Sequence, residues 1–396
     1  MRLAQIGLGA MGLPIARRLC GLEDVEIALY DADPSKLDAV QGVGRRSKSV
    51  ADAIRGADVI VTVLPADRHV EAVAREVSAA GERGQIFADL STIAPSTIEA
   101  VARDLSEVGI RTLSVAITRG AAAAARGELG LFVGGDEIVA ARLAPVRGAI
   151  ASDVRDGGDL GSAKALKIAN NMVVSVLDIG ICETLVLAAK LGIDARTVTT
   201  HLQESGADGW ALRNHIIACV LEDDLGPGHF STANMAKDIR LFVELTAERG
   251  TAATLAGTAA ACYRGAIAHG YAEDYHPVVI RWLELGAALS DRAPSPPADP
   301  AEVLNAISGA VVALQALANV EALLALRATG ISTIDAGEHL ASGSAQNDSL
   351  QTVARSMTIN SRALVAELER FLELAQMAAV PALMIETARH TALVPR

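Results

Sequence analysis

The sequence predicts an α/β domain with a mainly parallel, doubly wound sheet, followed by an all-α region. Through residues 1–161, short apolar runs alternate with helical patterns, which is typical of a sheet built from strand–helix–strand units. From residue 162 onwards, apolar residues recur almost entirely with helical spacing. A chain of 396 residues has room for two or three such domains.

The first predicted strand, at residues 2–6, runs directly into a glycine-rich turn that opens a helix ending near Leu19. A second predicted strand, at residues 25–30, ends at Asp31, and this acid comes 19 residues after the last glycine of the turn. Strand, GxGxxG turn, helix and acid in this order form the dinucleotide-binding fingerprint of a Rossmann domain. Its glycines let the backbone approach a pyrophosphate at the helix N-terminus. The predicted cofactor-binding turn is Gly7, Leu8, Gly9, Ala10, Met11 and Gly12.

The acid at the end of the second strand indicates which dinucleotide is bound. Asp31 would accept hydrogen bonds from the ribose hydroxyls of NAD, whereas its charge would repel the 2′-phosphate of NADP. Asp33 adds negative charge, and no arginine follows at once to pair with a phosphate. We therefore predict NAD rather than NADP. The alternative is that Asp31 is an ordinary cap at a strand end.

Four further strands are predicted at residues 57–65, 85–92, 109–117 and 128–135. Ligands of such sheets bind beyond the carboxyl ends of the strands. Ser91 and Thr92 either cap the next turn or lie at the nicotinamide or the substrate. The residues that follow the predicted strands, and are therefore candidates for ligand binding, are Leu64, Pro65, Ser91, Thr92, Thr118, Arg119 and Gly120.

A long, mostly apolar helix is predicted at residues 162–191, with polar residues at helical spacing along one face. Buried polar groups cost ~1–3 kcal/mol each when unpaired, so a buried stripe must have partners. The stripe is either exposed to solvent or the wall of an active site, with Lys167 as its acid or base. Its members are Lys164, Lys167, Asn171, Ser175 and Asp178.

Two pairs of segments in the helical region resemble each other. Residues 183–194 resemble residues 321–332 at an offset of 138, and residues 242–245 resemble residues 371–374 at an offset of 129. At the first offset, Lys167 and Asn171 correspond to Asn305 and Gly309, so the second copy has lost the polar stripe. We predict an all-α domain at 162–289, a proline-rich linker at 290–300 and a degenerate second copy at 301–396.

Composition narrows the classes of function. The net charge of −12 argues against a general nucleic-acid binder. Polar residues interrupt the most apolar stretches, 168–193 and 306–328, which argues against membrane spans. The N-terminus does not resemble a secretory signal, and four widely spaced cysteines fit a reducing cytoplasm. No local His or Cys spacing predicts a metal site.

Several motifs in order resemble the β-hydroxyacid dehydrogenase family, the relatives of 3-hydroxyisobutyrate dehydrogenase. They cover roughly residues 1–288 and are IGLGAMGLPIA (6–16), VTVLP (61–65), DLSTIAPST (89–97), GELGLFVGG (127–135), KIANN (167–171) and MAKD (235–238). The duplicated helical region also resembles 6-phosphogluconate dehydrogenase. That family usually has a histidine before the asparagine of the lysine motif, and here the residue is Asn170.

The resemblance implies roles for individual residues. It implies that Lys167 is the catalytic lysine, that Asn171 orients the substrate, and that Lys237 reaches the nicotinamide end of the site. Leu64, Pro65 and Thr92 would contact the cofactor. Where the family often has a Ser-Gly-Gly turn for the substrate carboxylate, this chain has Thr118-Arg119-Gly120. An arginine there would add a charged fork for an anion.

The resemblance also implies a function. We expect an NAD-dependent oxidoreductase of a small anionic β-hydroxy acid, or a reductase of the matching semialdehyde. The alternatives are an imine reductase and a non-catalytic NAD-binding scaffold or sensor on the same fold. Helical domains of this family usually pack between subunits, so we expect either a homodimer or a monomer in which the second copy forms an internal pseudo-dimer.

Overall fold

The computed structural model describes residues 1–40, 42, 44–288 and 299–393. These residues form two compact units, Met1–Lys167 and Ile168–Arg396. The linker predicted at 290–300 lies outside the described residues except for its last two positions. The first predicted helical segment belongs to the second unit from residue 168 onwards, and the second segment belongs to it throughout. The boundary between the units lies inside one long helix.

In the described part of the first unit, eight strands form one sheet in the order β3-β2-β1-β4-β5-β6-β7-β8. β7 runs antiparallel to β6, and the other neighbouring pairs are parallel. The predicted mainly parallel, doubly wound sheet is confirmed, and the short β3 and the edge strand β8 were not predicted. The strands are β1 Arg2–Ile6, β2 Glu26–Tyr30, β3 Arg45–Arg46, β4 Val59–Thr62, β5 Ile86–Asp89, β6 Arg111–Thr118, β7 Leu129–Gly134 and β8 Ala151–Asp156.

Eight helices in the described residues accompany this sheet, and apolar cores form on both of its faces. Their buried residues recur at helical spacing, as Val70, Val73, Ala74 and Val77 do in the longest of them. The helices are α1 Gly12–Cys20, α2 Pro34–Asp38, α3 Val50–Ile54, α4 Asp67–Ala80, α5 Pro95–Glu107, α6 Gly120–Arg126, α7 Glu137–Arg142 and α8 Ala144–Ile150.

Helix α9, Leu160–Lys190, begins in the first unit and ends in the second. The second unit is helical apart from its connections. It contains a nine-residue π-helix, Leu212–Val220, and a short 3-10 helix, His276–Val278. Its further α-helices are α10 Ala195–Glu204, α11 Thr232–Arg249, α12 Thr254–Ala268, α13 Val279–Gly286, α14 Pro300–Ala328, α15 Thr333–Ser342, α16 Leu350–Ser356, α17 Ser361–Met377 and α18 Leu383–Leu393.

The helix boundaries of the second unit follow the offsets seen in the sequence. α9 and α14 end 138 positions apart, and α10 and α15 begin and end 138 positions apart. α11 and α17 begin 129 positions apart, as do α12 and α18. Each segment therefore contains a long helix followed by matching shorter helices.

α9 and α14 are long and apolar enough to cross a membrane by length and composition. In the structure, 94% and 83% of the residues in their most apolar windows are buried. Burial of this extent is what the central helices of a folded core show. The two helices form the centre of the second unit.

Candidate active site

The glycine turn after β1 has the shape that a dinucleotide requires. Gly7 has a φ of +99°, and a Cβ there would overlap the carbonyl oxygen of Val63. A Cβ at Gly12 would overlap the carbonyl of Gly7, whereas a Cβ at Gly9 would meet nothing within 4 Å. Gly9 and Ala10 are exposed, and no side chain among the described residues caps α1. The open backbone at Gly9 and the uncapped helix N-terminus therefore fit a bound pyrophosphate.

Asp31 lies at the carboxyl end of β2, beside this turn. Its Oδ2 accepts a hydrogen bond from the backbone N–H of Leu8 at 2.7 Å, and its Oδ1 accepts one from the N–H of Asp33 at 2.9 Å. These bonds hold the carboxylate against the turn. Two arginines of β3 are already paired with acids, Arg45 with Asp52 at 3.2 Å and Arg46 with Asp38 at 2.9 Å.

The carboxyl ends of β4 and β5 are joined by a buried polar network centred on Asp89. Its Oδ1 accepts hydrogen bonds from Thr62 and Ser91, both at 2.7 Å. The Ser91 hydroxyl also accepts the N–H of Leu64 at 2.9 Å and is 3% exposed. Ser91, predicted as a substrate ligand, is therefore placed as a support for the loop that carries Leu64. Of its neighbours, Pro65 is exposed and Thr92 is half-buried.

The two lysines of the helical stripe have different environments. Lys164 is 1% exposed, and its ammonium donates to the backbone oxygens of Asp89 and Ser91 and pairs with Asp89 Oδ2 at 2.8 Å. Lys167, one turn later on α9, is half-buried. Lys164 is thus held in the β5 network, and Lys167 differs from it in being only half-buried.

The segment after β6 makes contacts within the protein that the sequence did not predict. Thr118 is buried and donates to the carbonyl of Gly130 at 3.2 Å. Arg119 has a φ of 77°, and its guanidinium bonds the carbonyl of Glu128, the hydroxyl of Ser152 at 3.0 Å and Asp153 at 3.4 Å. The charged fork predicted for a substrate anion is therefore occupied by the protein itself. Gly120, the third residue of this turn, is exposed and has no side chain that could bind a substrate.

In the second unit, Asn171 is held in one orientation by two neighbours. Its Nδ2 donates to Asp238 Oδ2 at 2.6 Å, and its Oδ1 accepts from Asn170 at 3.1 Å. Lys237, 18% exposed, pairs with the other oxygen of Asp238 at 2.9 Å. Asp238, fully buried, therefore links the two predicted site residues, Asn171 and Lys237.

Asn170 joins this network to the second helical segment. Its Nδ2 donates to Ser344 Oγ at 2.7 Å, and its Oδ1 accepts the N–H of Ala345 at 3.0 Å. A Cβ at Gly343 would crowd the Asn170 side-chain oxygen, so only glycine fits there without movement. Residues from the loop after α15 thus fix the neighbour of Asn171.

Three residues of these networks were not predicted: Asp89, Lys164 as its partner, and Asp238. Asp238 offered a signal, because it is a carboxylate among the apolar positions of α11 and follows Lys237 directly. Lys164 and Asp89 are 75 positions apart, and no local pattern connects them.

Two family models match this chain. Residues 2–158 match the model described as the NAD-binding domain of 6-phosphogluconate dehydrogenase, and residues 161–283 match that described as NAD-binding of NADP-dependent 3-hydroxyisobutyrate dehydrogenase. The predicted NAD-binding domain is confirmed. Neither match extends beyond residue 283, so the second helical segment lies outside both.

Curated relatives and a solved structure agree with these matches. A probable 3-hydroxyisobutyrate dehydrogenase of Mycobacterium tuberculosis is 32% identical over 268 residues, 66% of this chain and 90% of the relative. NAD-dependent L-serine dehydrogenase of Pseudomonas aeruginosa is 29% identical over 292 residues, 72% of this chain and 98% of the relative. The structure of the M. tuberculosis 3-hydroxyisobutyrate dehydrogenase with L-serine has a TM-score of 0.67 at 31% identity, covering 71% of this chain and 98% of that one.

Proposed function

Because this chain belongs to the β-hydroxyacid dehydrogenase family, which includes 3-hydroxyisobutyrate dehydrogenase, we propose that it oxidises a small β-hydroxy acid with NAD, or reduces the matching semialdehyde. The observation that carries this proposal is the polar arrangement on α9. Lys167 is half-buried, and Asn171, one turn later, has its amide orientation fixed by Asp238 and Asn170.

Lys167 would act as the general base in the oxidative direction. Bound NAD would supply the acceptor for the hydride of the carbinol carbon, and the hydroxyl proton would have to leave in step with that hydride. An amine acts as a general base only in its neutral form. Lys167 would take the hydroxyl proton, and in the reverse direction it would return this proton to the aldehyde oxygen. Acid–base help of this kind is worth ~10²–10⁴ in rate.

Asn171 would orient the substrate. Asp238 accepts one proton of its amide, and Asn170 donates to its oxygen, so the amide cannot flip without losing both bonds. A fixed amide one turn from the base holds a hydroxyl or carboxylate at a defined angle. Lys237 would supply positive charge beside it, and Asp238 would position both side chains.

NAD rather than NADP is supported by the acid at the end of β2. Asp31 is held beside the glycine turn, where it would accept hydrogen bonds from ribose hydroxyls. Arg45 and Arg46, the basic residues of the adjacent strand, are paired with acids. The 2′-phosphate of NADP would thus be repelled by Asp31. It would also have to compete with the paired acids for the two arginines.

The names of the relatives narrow the substrate class. They include dehydrogenases of L-serine, 3-hydroxyisobutyrate and 2-(hydroxymethyl)glutarate. All three compounds carry a primary hydroxyl on the carbon β to a carboxylate. We infer a substrate with this feature. The guanidinium of Arg119 is bound by Ser152 and Asp153, so it does not argue for a second negative charge on the substrate.

We propose further that the segment from α14 to α18 is a duplicated helical domain that takes the place of a partner subunit. Gly309 on α14 lies against Glu367 on α17, just as Asn171 on α9 lies against Asp238 on α11. A cavity of about 360 Å³ lies at this point, and Asn305 lines it at the position equivalent to Lys167. The second copy would keep the shape of the site without its chemistry, and the active species would be a monomer.

The proposed function is tested by following reduced nicotinamide with NAD and, separately, with NADP. The substrate panel would be L-serine, 3-hydroxyisobutyrate, glycerate and 2-(hydroxymethyl)glutarate, with the matching semialdehydes in the reverse direction. We expect turnover of at least one β-hydroxy acid, faster with NAD. Tight NAD binding without turnover in either direction would contradict the proposal and favour the scaffold or imine-reductase alternatives.

A further inference from the structure

Three buried side chains from separate segments of the second unit converge on one point. Asp178 lies on α9, His215 lies in the π-helix Leu212–Val220, and His276 begins the 3-10 helix. The His215 Nδ1 is 2.8 and 3.0 Å from the two Asp178 oxygens, and the His276 Nδ1 is 3.3 Å from Asp178 Oδ2. One ligand atom from each residue lies within 4.8 Å of the other two.

Aromatic rings surround this cluster. The ring of His215 meets Trp210 edge-on at a centroid distance of 4.7 Å and Tyr275 at 5.4 Å. His276 lies 6.1 Å from Phe230 and 6.2 Å from Tyr263. Asp178 is fully buried, and neither histidine is more than 4% exposed. An ionised carboxylate in such surroundings is costly unless positive charge is placed next to it.

The geometry is close to that of a metal site. Ligand atoms ~2.0–2.1 Å from a tetrahedral ion lie roughly 3.3 Å from one another. The Asp178–His276 distance of 3.3 Å already matches this value. The His215 ring would have to withdraw by roughly 0.5 Å to match it as well. Both histidines turn the same ring nitrogen toward the carboxylate, so one cation could be shared by all three groups.

We propose that Asp178, His215 and His276 bind one divalent transition-metal ion of the zinc class. Two imidazoles and one carboxylate are a ligand set that such ions prefer, and they leave a fourth position for a small molecule such as water. A π-helix, which is rare and often found at functional sites, presents one ligand. The ligands are too far apart in sequence for local spacing to reveal them, which is why the sequence predicted no metal.

The ion would link the two helices that carry the Asn171–Asp238 pair, α9 and α11. Asp178 lies two turns beyond Asn171 on α9. The segment before His276 forms a β-bridge between Tyr275 and Ser231, and Ser231 is the N-cap of α11, which carries Asp238. A bound ion would therefore tie α9 to the start of α11. Metal binding itself does not depend on the proposed dehydrogenase activity.

The test uses the full chain without a histidine tag, stripped with a chelator and titrated with Co²⁺. We expect one equivalent of Co²⁺ to produce a visible ligand-field band and to quench Trp210, whose ring touches His215. Zn²⁺ should displace Co²⁺ and raise the melting temperature. His276→Gln should weaken Co²⁺ binding by at least about 100-fold, because a direct ligand is lost. His269→Gln, at an exposed histidine, is the matched control and should bind as the wild type does.

The wild-type titration decides the matter even if the His276 variant does not fold. Absence of saturable Co²⁺ binding to the folded wild type would overturn the proposal. Binding of equal strength in wild type and His276→Gln would overturn it too, because the ion would then lie elsewhere.

Discussion

Glu183 on α9 and Glu321 on α14 accept equivalent pairs of hydrogen bonds, each from a helix in the other helical segment. Glu183 accepts the N–H groups of the second and third residues of α18 at 2.8 and 3.1 Å. Glu321 accepts those of the second and third residues of α12 at 3.0 and 2.9 Å. The two glutamates are 138 positions apart, so each helical segment places a glutamate at the start of a helix of the other. Reciprocal contacts of this kind are typical of symmetric dimer interfaces, and they support the proposed duplication.

The first prediction concerns pH. Burial raises the pKa of Glu183 from 4.5 to about 8, although hydrogen bonds from α18 lower it. Between these values the folded chain holds a proton that the unfolded chain lacks, so the free energy of unfolding should fall as pH rises from about 5 to 8. The slope is at most ~1.4 kcal/mol per pH unit. Thermal unfolding across this range should show the slope in wild type and in Glu338→Gln, an exposed control. Glu183→Gln should show a shallower slope, since only the contribution of buried Asp178, whose pKa burial also raises, would remain. An unchanged slope in that variant would contradict the account.

The second prediction concerns the buried ion pair of Lys164 and Asp89. Lys164→Met should lower the free energy of unfolding by ~3–5 kcal/mol, because it leaves Asp89 buried without its counter-charge. Combining it with Asp89→Asn removes the stranded charge and should recover part of this loss. Urea denaturation measures both. A double variant as unstable as the single one would show that the ion pair is not the cause.

Patterns that repeat along the chain predicted the fold well. The alternation of apolar runs predicted β1, β2 and β4 to β7, and α9 lies within two residues of its predicted bounds. The two strands that the sequence did not predict, β3 and β8, lack a clear apolar pattern. β3 has two residues, both arginines, and β8 alternates half-buried and exposed positions at the sheet edge.

The third prediction concerns Arg119, whose guanidinium is bound by Glu128, Ser152 and Asp153. Arg119→Ala should change KM for the hydroxy acid by less than about threefold, since a group engaged elsewhere offers the substrate little. Partly exposed ion pairs contribute ~0–1 kcal/mol, so stability should change little. Steady-state kinetics with the best substrate of the panel provide the measurement. A rise in KM of about tenfold or more would restore Arg119 as the anion-binding residue.

The fourth prediction concerns the second helical copy. Ser344→Ala removes the hydroxyl that holds Asn170, and so loosens Asn171. We expect kcat to fall by roughly tenfold, because a loosely held orienting group costs rate more than binding. Ser342→Ala is the matched control, because the Ser342 hydroxyl donates to the His339 carbonyl of its own helix. Equal kcat values for Ser344→Ala and Ser342→Ala would show that the second copy does not contribute to catalysis through Asn170.

The active-site networks were harder to predict than the fold because they depend on long-range contacts. The spacing of the stripe placed Lys164, Lys167 and Asn171 on one face but could not distinguish the two lysines. Their difference depends on Asp89, which the sheet brings beneath α9. The contacts of Arg119 could not be predicted for the same reason, since Asp153 belongs to a strand that the sequence did not predict.

The measurement that tests the central claim most directly compares wild type, Lys167→Ala and Lys167→Arg for NAD reduction and for NAD binding. Both substitutions should reduce turnover by ~10²–10⁴ or more, because alanine has no base and arginine does not give up its proton. NAD binding, measured by calorimetry, should stay within about threefold of wild type, since the glycine turn and Asp31 are untouched. Turnover near the wild-type rate in either variant would contradict Lys167 as the acid–base residue and the mechanism built on it.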